Sequence, residues 1–289
     1  MSTTVKNWTE WLEKSRFSYM SKEQKEQTLR WLFNVRDKVL DRASLKPGDT
    51  VIDIGTGTGL LAFGAYERLN GTGHVIASDK FQDCVDECAA VARECGINSG
   101  FETLVSDAAQ INMPDNSVDV VVLRSVLVHI HDKSSAINEF YRILRSGGRL
   151  SLFEPIICSN TRYYELINPA NIPDYEKFKQ AEQEFMSSAC DPLTNFDENT
   201  LMNDFRHAGF SDINLELAAE QSTYTVLESM IDPWFNTPPS PGTTTMKEKF
   251  MKYFDESNVN NYIQNIKADL SGKTITIKSH SAYITAHKS

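Results

Sequence analysis

The chain lacks long apolar runs. Its hydrophobic stretches, such as Val118–Leu123, have the length of a β-strand, whereas a membrane-spanning helix needs about 20 predominantly apolar residues. The stretch from Met1 to Trp11 is polar and has no apolar segment of the kind that secretory signals carry. We therefore expect a cytoplasmic protein that does not act in a membrane.

The chain also lacks an excess of positive charge. It has 29 basic and 39 acidic residues among 289, which gives a formal net charge of −10, and no run of basic residues stands out. A nucleic-acid backbone would be repelled by this charge unless a local basic patch compensated for it. The composition therefore argues against a nucleic acid as substrate or partner and gives no sign of an oligomeric state.

Cysteine is scarce, with five residues in all. An odd number without a visible secretory signal favours reduced thiols. Cys84, Cys88 and Cys95 share the spacing of one helix face, but no Cys/His pair at metal-ligand spacing accompanies them. We interpret them as small apolar residues that pack a helix on a sheet, and we predict no metal site.

The sequence between residues 48 and 157 alternates between strand and helix patterns. This alternation predicts a doubly wound, mostly parallel α/β sheet. Five strands are predicted here, and two more follow near the carboxyl end, for seven in total: 50–54, 74–78, 101–105, 118–123, 149–153, 213–218 and 274–286. Helices are predicted between them at 60–70, 82–95 and 134–144.

The alternation of strand and helix patterns ends after Pro155. The predicted organisation is an α/β core with insertions. The α/β core covers 48–157 and continues at 200–219 and in a terminal strand at 273–289. Three other segments read as helical caps: residues 1–47, 158–199 and 220–272. Trp8 and Trp11, in the first of them, fit either a cap over a ligand or ordinary core packing.

The glycine run after the first strand is the strongest signal for a ligand. Val51 to Ile54 form an apolar β-branched run that leads into Gly55, Gly57 and Gly59, and a helical pattern begins at Leu60. Such a strand–turn–helix brings backbone N–H groups against a polar or anionic ligand. The spacing is G-x-G-x-G rather than the G-x-G-x-x-G of dinucleotide-binding proteins.

Carboxylates follow the next two strands. Asp79 ends the second strand about 20 residues beyond the glycine turn, where a carboxylate can accept hydrogen bonds from ribose hydroxyls. Asp107 follows the third strand, in a position where it can accept a hydrogen bond from an adenine amino group. The residues 114–121, Pro-Asp-Asn-Ser-Val-Asp-Val-Val, then lead into the fourth strand.

With these motifs the chain resembles the class I S-adenosylmethionine-dependent methyltransferases, of the bacterial small-molecule type. The similarity covers residues 48–157 most specifically, and the entry into the fourth strand separates it best from enzymes that use NAD. Methyltransferases that act on the exocyclic amines of nucleobases carry an N-P-P-Y motif after the fourth strand. This motif is absent from that position here. The resemblance implies a Rossmann-like fold, S-adenosylmethionine as cofactor and a small-molecule acceptor.

The resemblance also implies a set of cofactor-binding positions. An acid at Asp53 would organise the amino group of the cofactor, and either Lys80 or Phe81 would pack on the adenine. The complete predicted set is Arg16, Tyr19, Asp53, Gly55, Thr56, Gly57, Gly59, Asp79, Lys80, Phe81, Asp107, Ala108, Arg124 and Ser125.

Two residues are candidates for the chemistry itself. His129 follows the fourth strand and has a side chain that titrates near neutrality, so it is either a general base or a residue that packs on the cofactor or caps a helix. Glu154 ends the fifth strand and either binds an acceptor amine or hydroxyl or has a structural role.

The predicted reaction is methyl transfer to an oxygen, nitrogen or carbon atom by in-line displacement. An enzyme or binding protein that uses the same cofactor without methylating is the alternative, and an NAD-linked oxidoreductase on a similar sheet is a further one. The identity of the acceptor does not follow from the sequence.

Overall fold

The computed structural model of the protein describes residues 22–239 and 243–289. The expectations for Arg16 and Tyr19, and for Trp8 and Trp11, lie outside the described residues. Among the described residues, no helix is long and apolar enough to cross a membrane.

Seven strands form one sheet in the order β3-β2-β1-β4-β5-β7-β6. The pairs β1–β2, β2–β3, β1–β4 and β4–β5 are parallel. This arrangement confirms the predicted doubly wound, mostly parallel seven-stranded sheet. The strands are β1 (Thr50–Ile54), β2 (His74–Asp79), β3 (Phe101–Val105), β4 (Val118–Arg124), β5 (Leu144–Pro155), β6 (Ser211–Thr225) and β7 (Thr274–His287).

The last strand runs antiparallel to β5. Gly147 donates its N–H to the Lys288 carbonyl at 2.7 Å, and Ile156 donates to the His280 carbonyl at 2.8 Å. Residue numbers therefore fall along β7 as they rise along β5, which is the antiparallel arrangement.

Helices connect the strands and extend into the later segments. The helix α1 ends shortly before β1, and α2, α3 and α4 lie between strands of the parallel part of the sheet. The helices are α1 (Lys22–Ala43), α2 (Leu60–Leu69), α3 (Gln82–Glu94), α4 (Lys133–Ile143), α5 (Tyr163–Leu166), α6 (Tyr175–Phe185), α7 (Glu198–His207), α8 (Glu228–Asn236), α9 (Met246–Phe250) and α10 (Glu256–Leu270).

Two strands, β5 and β6, are longer than the sequence pattern predicts by several residues, while β2, β4 and β7 each extend one residue further. The expected turn at Gly147 and Gly148 lies inside β5, where Val118 pairs with Leu144 but Val120 pairs with Arg149. The additional residues form a bulge, so the strand continues through the glycines instead of beginning after them. The strand β6 extends to Thr225 because its polar second half pairs with β7, as the bond between the Thr223 and Thr276 hydroxyls shows.

The described chain divides into two compact units. The first contains the residues up to Glu154 together with 198–217 and 282–289, and the second contains 155–197 and 218–281. The first half of the terminal strand thus belongs to the second unit and not to the core, with which the sequence grouped it. The role of the insertions as a cap stays a prediction.

The first unit is built around strands that are buried on both faces. The residues of β1 from Val51 to Ile54 are all buried, as are those of β4 from Val120 to Leu123, which is the pattern of a central parallel strand. The helix α2 contributes an almost continuous apolar surface from Leu60 to Ala65. Asp119 accepts a hydrogen bond from Thr50 N at 2.8 Å and so links the starting ends of β1 and β4.

The second unit has an aromatic core of its own. The rings of Phe178 and Tyr262 stack at a centroid distance of 3.9 Å, and Phe250 packs edge-on against Tyr262 at 5.3 Å. Glu182 is buried beside this cluster and accepts hydrogen bonds from the Tyr163 and Tyr164 backbones at 2.9 and 3.3 Å. The second unit thus has a buried carboxylate held by backbone donors.

Candidate functional site

The candidate site lies where the strand order reverses, between β1 and β4. These two strands are neighbours in the sheet, with Ile54 opposite Leu123, while the chain leaves them toward opposite sides. In open α/β sheets the crevice at the carboxyl ends of such strands is the usual place for a ligand. The glycine turn and the residues that follow β4 meet here.

A cavity of about 480 Å³ occupies this position. It brings together seven residues that the sequence predicted for the site: Asp53, Gly55, Thr56, Gly57, Arg124, Ser125 and His129. Six further residues line it without having been predicted: Thr28, Leu32, Thr58, Leu60, Leu61 and Cys84.

The glycine turn needs glycine for two different reasons. At Gly55 an added Cβ would stand 2.5 Å from Val126 Cγ2, so the turn packs closely against the segment that follows β4. At Gly57 the backbone has φ +52°, and an added Cβ would meet no atom within 4 Å. Gly57 also lines the cavity, so no side chain covers the backbone of the turn where a ligand would approach it.

Asp53 presents a buried carboxylate to the cavity. Its Oδ2 accepts hydrogen bonds from Thr56 Oγ1 at 2.7 Å and from Ala62 N at 3.0 Å. Among the described residues no hydrogen bond reaches Oδ1. Burial raises the pKa of Asp53 to about 7, and the negative charge of Asp79 acts in the same direction. A cationic group at Oδ1 would stabilise the ionised form.

Asp79 fastens the turn at the end of β2. Its Oδ2 accepts a hydrogen bond from Gly57 N and its Oδ1 accepts one from Phe81 N, both at 3.0 Å. Each carboxylate oxygen has a second lone pair, so both can still accept from a ligand hydroxyl. Asp79 is not in the cavity lining, and its predicted contact with a ribose stays a prediction.

The other residues predicted for the adenosine lie outside the cavity lining. The Lys80 ammonium stands 5.0 Å from the centre of the Phe81 ring, which is 39% exposed. Asp107 is exposed and accepts a hydrogen bond from Ala109 N at 2.8 Å, while Ala108 beside it is buried. Their binding role stays a prediction.

Arg124 brings positive charge to the same cavity. Its only hydrogen bond within the described residues is a 3.5 Å contact from Nη1 to Ser125 Oγ, and its guanidinium lies 5.8 Å from the Trp31 ring centre. Burial lowers the pKa of Arg124, which nevertheless remains protonated, as arginine does in proteins. Most of its five donors therefore have no partner among the described residues and could bind an anionic group.

His129 ends a 3₁₀-helical turn, Leu127–His129, and lines the cavity. Its Nδ1 is buried and has no hydrogen-bond partner in the ranges 22–239 and 243–289. Burial lowers the pKa of His129, and the positive charges of Lys80 and Lys133 lower it further. The imidazole is therefore neutral near pH 7 and able to accept a proton, as a general base requires.

Glu154 does not line the cavity, and its carboxylate faces backbone donors. The side chain is fully buried, Oε1 accepts hydrogen bonds from Val126 N and Leu127 N at 2.8 and 2.9 Å, and Oε2 accepts one from Val128 N at 3.1 Å. Of the two roles considered for Glu154, these contacts support the structural one.

The missed lining residues have weak signals in the sequence. Thr28 and Leu32 lie four positions apart on α1, so they share one face of that helix. Cys84 lies in the first turn of α3, just after the residues predicted for the adenine. Only the sheet, which places α1 and α3 beside the glycine turn, distinguishes these positions from ordinary core residues.

Comparisons with known proteins place the chain in a family. Residues 45–256 match the family model described as a methyltransferase domain. The ubiquinone/menaquinone biosynthesis C-methyltransferase UbiE of Xanthomonas oryzae is 33% identical over 112 residues, which cover 39% of this chain and 44% of the relative. The chain thus spans less than half the length of that curated relative. The Escherichia coli O1:K1 UbiE is 26% identical over 180 residues, covering 61% of this chain and 71% of the relative.

Solved structures share the fold. A putative methyltransferase from Bacillus halodurans superposes with a TM-score of 0.53 at 18% identity, covering 88% of this chain and 98% of the other. The Haemonchus contortus phosphoethanolamine N-methyltransferase 2, solved with S-adenosylmethionine, gives 0.54 at 17% identity, covering 97% of this chain and 60% of the other. The chain belongs to the methyltransferase domain family, and this confirms the predicted resemblance to class I methyltransferases with S-adenosylmethionine as cofactor.

Proposed function

We propose that the protein transfers a methyl group from S-adenosylmethionine to a small-molecule acceptor. The observation that carries this proposal is the pair of opposite charges in one cavity, Asp53 and Arg124, beside a glycine turn. The donors and acceptors of this pair complement an α-amino acid, which is the part of S-adenosylmethionine that a dinucleotide lacks.

The two charged groups fit the two ends of the amino acid. Within the part of the chain that the structure describes, one Asp53 oxygen has no donor and the Arg124 guanidinium has one weak hydrogen bond. That oxygen would accept from the ammonium, and the guanidinium would donate to the carboxylate. The two side chains interact electrostatically, because the charge of Arg124 lowers the pKa of Asp53. Both residues line the same cavity, where one ligand head could meet both.

The glycine turn and Asp79 support the rest of the ligand. The space beside Gly57 admits the ligand against the backbone, and Asp79 keeps one lone pair on each oxygen for ribose hydroxyls. Asp107 and Ala108 would meet the adenine, with Lys80 or Phe81 over the ring.

The bound cofactor supplies an electrophilic methyl carbon on a sulfonium. The residues of this chain hold that carbon in line with the acceptor and exclude water from it. An acceptor oxygen or nitrogen that carries a proton would give it to the His129 imidazole, which lines the cavity, as the new bond to carbon forms. An acceptor that is already deprotonated needs only the positioning.

We propose that the acceptor is a small molecule and that the protein acts on neither a nucleic acid nor a membrane. The names of the relatives refer to quinone biosynthesis and to phosphoethanolamine, and for this chain both chemistries are candidates to be tested. A cytoplasmic location is part of the same proposal.

A screen of acceptors tests the proposal. The full chain is incubated with S-adenosylmethionine and a panel of small alcohols, amines, carboxylates, phenols and quinols, and the products are identified by mass. The proposal predicts that one class gains a single methyl group while S-adenosylhomocysteine accumulates in equal amount. Conversion of an acceptor without a gain of methyl would instead favour the non-methylating alternative, and stabilisation by NAD alone in a thermal-shift assay would favour an oxidoreductase.

A further inference from the structure

Glu154 lies at the end of β5, directly beneath the segment that follows β4. Its two oxygens accept three consecutive backbone N–H groups, those of Val126, Leu127 and Val128. A carboxylate that satisfies three donors from inside the protein replaces solvent at those positions. Loss of one oxygen acceptor there leaves a buried donor unpaired, which is costly.

The remaining donors of the same segment are also satisfied. Ser125 N donates to the Phe153 carbonyl at 2.8 Å, and His129 N donates to the Val126 carbonyl at 3.0 Å. Every backbone N–H from 125 to 129 therefore has a partner, and Glu154 supplies the partner for the central three. The path of this segment, which we call the 125–129 turn, depends on that one side chain more than on any other.

The 125–129 turn carries groups that line the cavity. Ser125 has φ +57°, an uncommon conformation for a residue other than glycine, and its side chain lines the cavity together with that of His129. Val126 packs against Gly55, since a Cβ on that glycine would stand 2.5 Å from Val126 Cγ2. A displacement of the turn would thus move His129 and disturb the glycine turn at once.

We propose that Glu154 is a positioning residue, whose carboxylate fixes the 125–129 turn and thereby the place and environment of the His129 imidazole. The residue acts through the turn and does not contact the acceptor or the cofactor. The kinetic part of this inference rests on the proposed methyl transfer, while the placement of the imidazole is measurable in the protein without any ligand.

The charged groups around the turn are known. Lys133 on α4 and Arg124 at the end of β4 interact with the Glu154 carboxylate. Lys80 after β2 and Lys133 on α4 act on His129. Lys133 also donates from Nζ to the Ile130 carbonyl at 2.8 Å, one residue beyond the turn. These groups stay in place when Glu154 is replaced by an uncharged residue.

The test compares Glu154→Gln with Glu182→Gln. Glu182 is also a buried carboxylate, accepts two consecutive backbone N–H groups, and has a pKa raised to about 7 by burial, as Glu154 has. In each variant an amide NH₂ would face one backbone N–H, so the structural defect is the same. The two variants differ in that Glu182 belongs to the second unit and holds no part of the cavity.

The readout is the titration of the His129 ring, followed by NMR in the ligand-free protein. We expect the pKa of His129 to lie below the ordinary histidine value in the wild type and in Glu182→Gln. In Glu154→Gln we expect this pKa to shift upward toward the ordinary value. The affinity for S-adenosylhomocysteine should fall about tenfold in Glu154→Gln alone. If Glu154→Gln fails to fold, Glu154→Asp serves instead, because it keeps the charge on a shorter side chain. We expect it to raise the pKa of His129 in the same direction by a smaller amount.

An unchanged His129 titration in a folded Glu154 variant, or an equal shift in Glu182→Gln, would overturn the inference. Failure of the acceptor screen would leave this result untouched, because the titration requires neither cofactor nor acceptor. The two proposals therefore fail separately.

Discussion

At the scale of single residues, the site is organised by charged groups whose hydrogen-bonding capacity is only partly used by the described residues. Asp53 has one carboxylate oxygen without a donor among the described residues, and Arg124 has one weak hydrogen bond. Buried polar groups are usually satisfied, so partly satisfied ones in a cavity point to a ligand. The same reasoning applies to His129, whose buried Nδ1 has no hydrogen-bond partner in the described part of the chain.

Replacement of Arg124 by glutamine tests whether this residue binds the carboxylate at the amino acid end of the cofactor. The affinity for S-adenosylhomocysteine should fall about tenfold, because one charge-assisted pair is lost. Methylthioadenosine, which has the nucleoside but no amino acid, should bind the variant and the wild type equally. Calorimetric titration measures both, and an equal loss for the two ligands would show that Arg124 does not bind the carboxylate.

The sequence distinguished these residues unevenly. Asp53 and Arg124 could be predicted for the site because each lies at the carboxyl end of a central strand. Glu154 occupies the same kind of position, yet its carboxylate binds backbone N–H groups. The difference depends on the path of the 125–129 turn, which brings three donors to that side chain, and no local pattern encodes that path.

At the scale of elements, the glycine turn determines how closely a ligand can approach. Gly57 lines the cavity, and an added Cβ there would meet no described atom within 4 Å. Gly71, in the turn after α2, has a similar backbone with φ +76° and also meets no atom within 4 Å, but it does not line the cavity. Alanine substitutions at the two positions therefore separate the conformational cost of a left-handed backbone from the effect on ligand binding.

Substitution of Gly57 by alanine should therefore affect stability and binding, and substitution of Gly71 by alanine should affect stability alone. Each should lower the free energy of unfolding by about 1–2 kcal/mol, the cost of a left-handed conformation. Only Gly57→Ala should also weaken S-adenosylhomocysteine binding, by about tenfold. Denaturant melts and calorimetry give both quantities. A Gly57→Ala variant with normal affinity would place the ligand away from the turn.

Most elements of the parallel sheet could be predicted from sequence, because buried β-branched runs and glycine turns are local signals. The strands β1 and β3 begin and end where the pattern placed them. The strands β5 and β6 extend beyond it, because a bulge at Gly147 and the pairing of β6 with β7 depend on neighbours that are distant in sequence. The lining contributed by Thr28 and Cys84 was missed for the same reason.

At the scale of the whole molecule, three buried carboxyl groups make stability depend on pH. Burial raises the pKa of Asp53, Glu154 and Glu182 to about 7 in each case. The folded protein then holds protons that the unfolded chain has released above about pH 4. Stability from these groups is present at low pH and is lost as pH rises through about 7.

The free energy of unfolding should fall between pH 6 and pH 8, by about 1 kcal/mol for each of the three groups. Glu139 and Asp269 have a lowered pKa, titrate below this window and do not oppose the fall. The lowered pKa of His129 opposes part of it near pH 6, because the unfolded chain then binds a proton that the folded protein does not. Asp53→Asn keeps an acceptor for Thr56 and Ala62 and removes one of the three contributions. Urea unfolding at both pH values measures the difference. A free energy that rises with pH, or an unchanged slope in the variant, would contradict this account.

The central claim is that the cavity between β1 and β4 binds the amino acid end of S-adenosylmethionine through Asp53. Calorimetric titration of S-adenosylhomocysteine into the wild type, Asp53→Asn and Asp119→Asn tests it most directly. Asp119 is a matched control, because it accepts a backbone hydrogen bond at the opposite end of β4 and does not line the cavity. We predict binding by the wild type and Asp119→Asn, and an affinity at least about tenfold lower in Asp53→Asn. Equal affinity in all three proteins, or no binding by the wild type, would contradict the account.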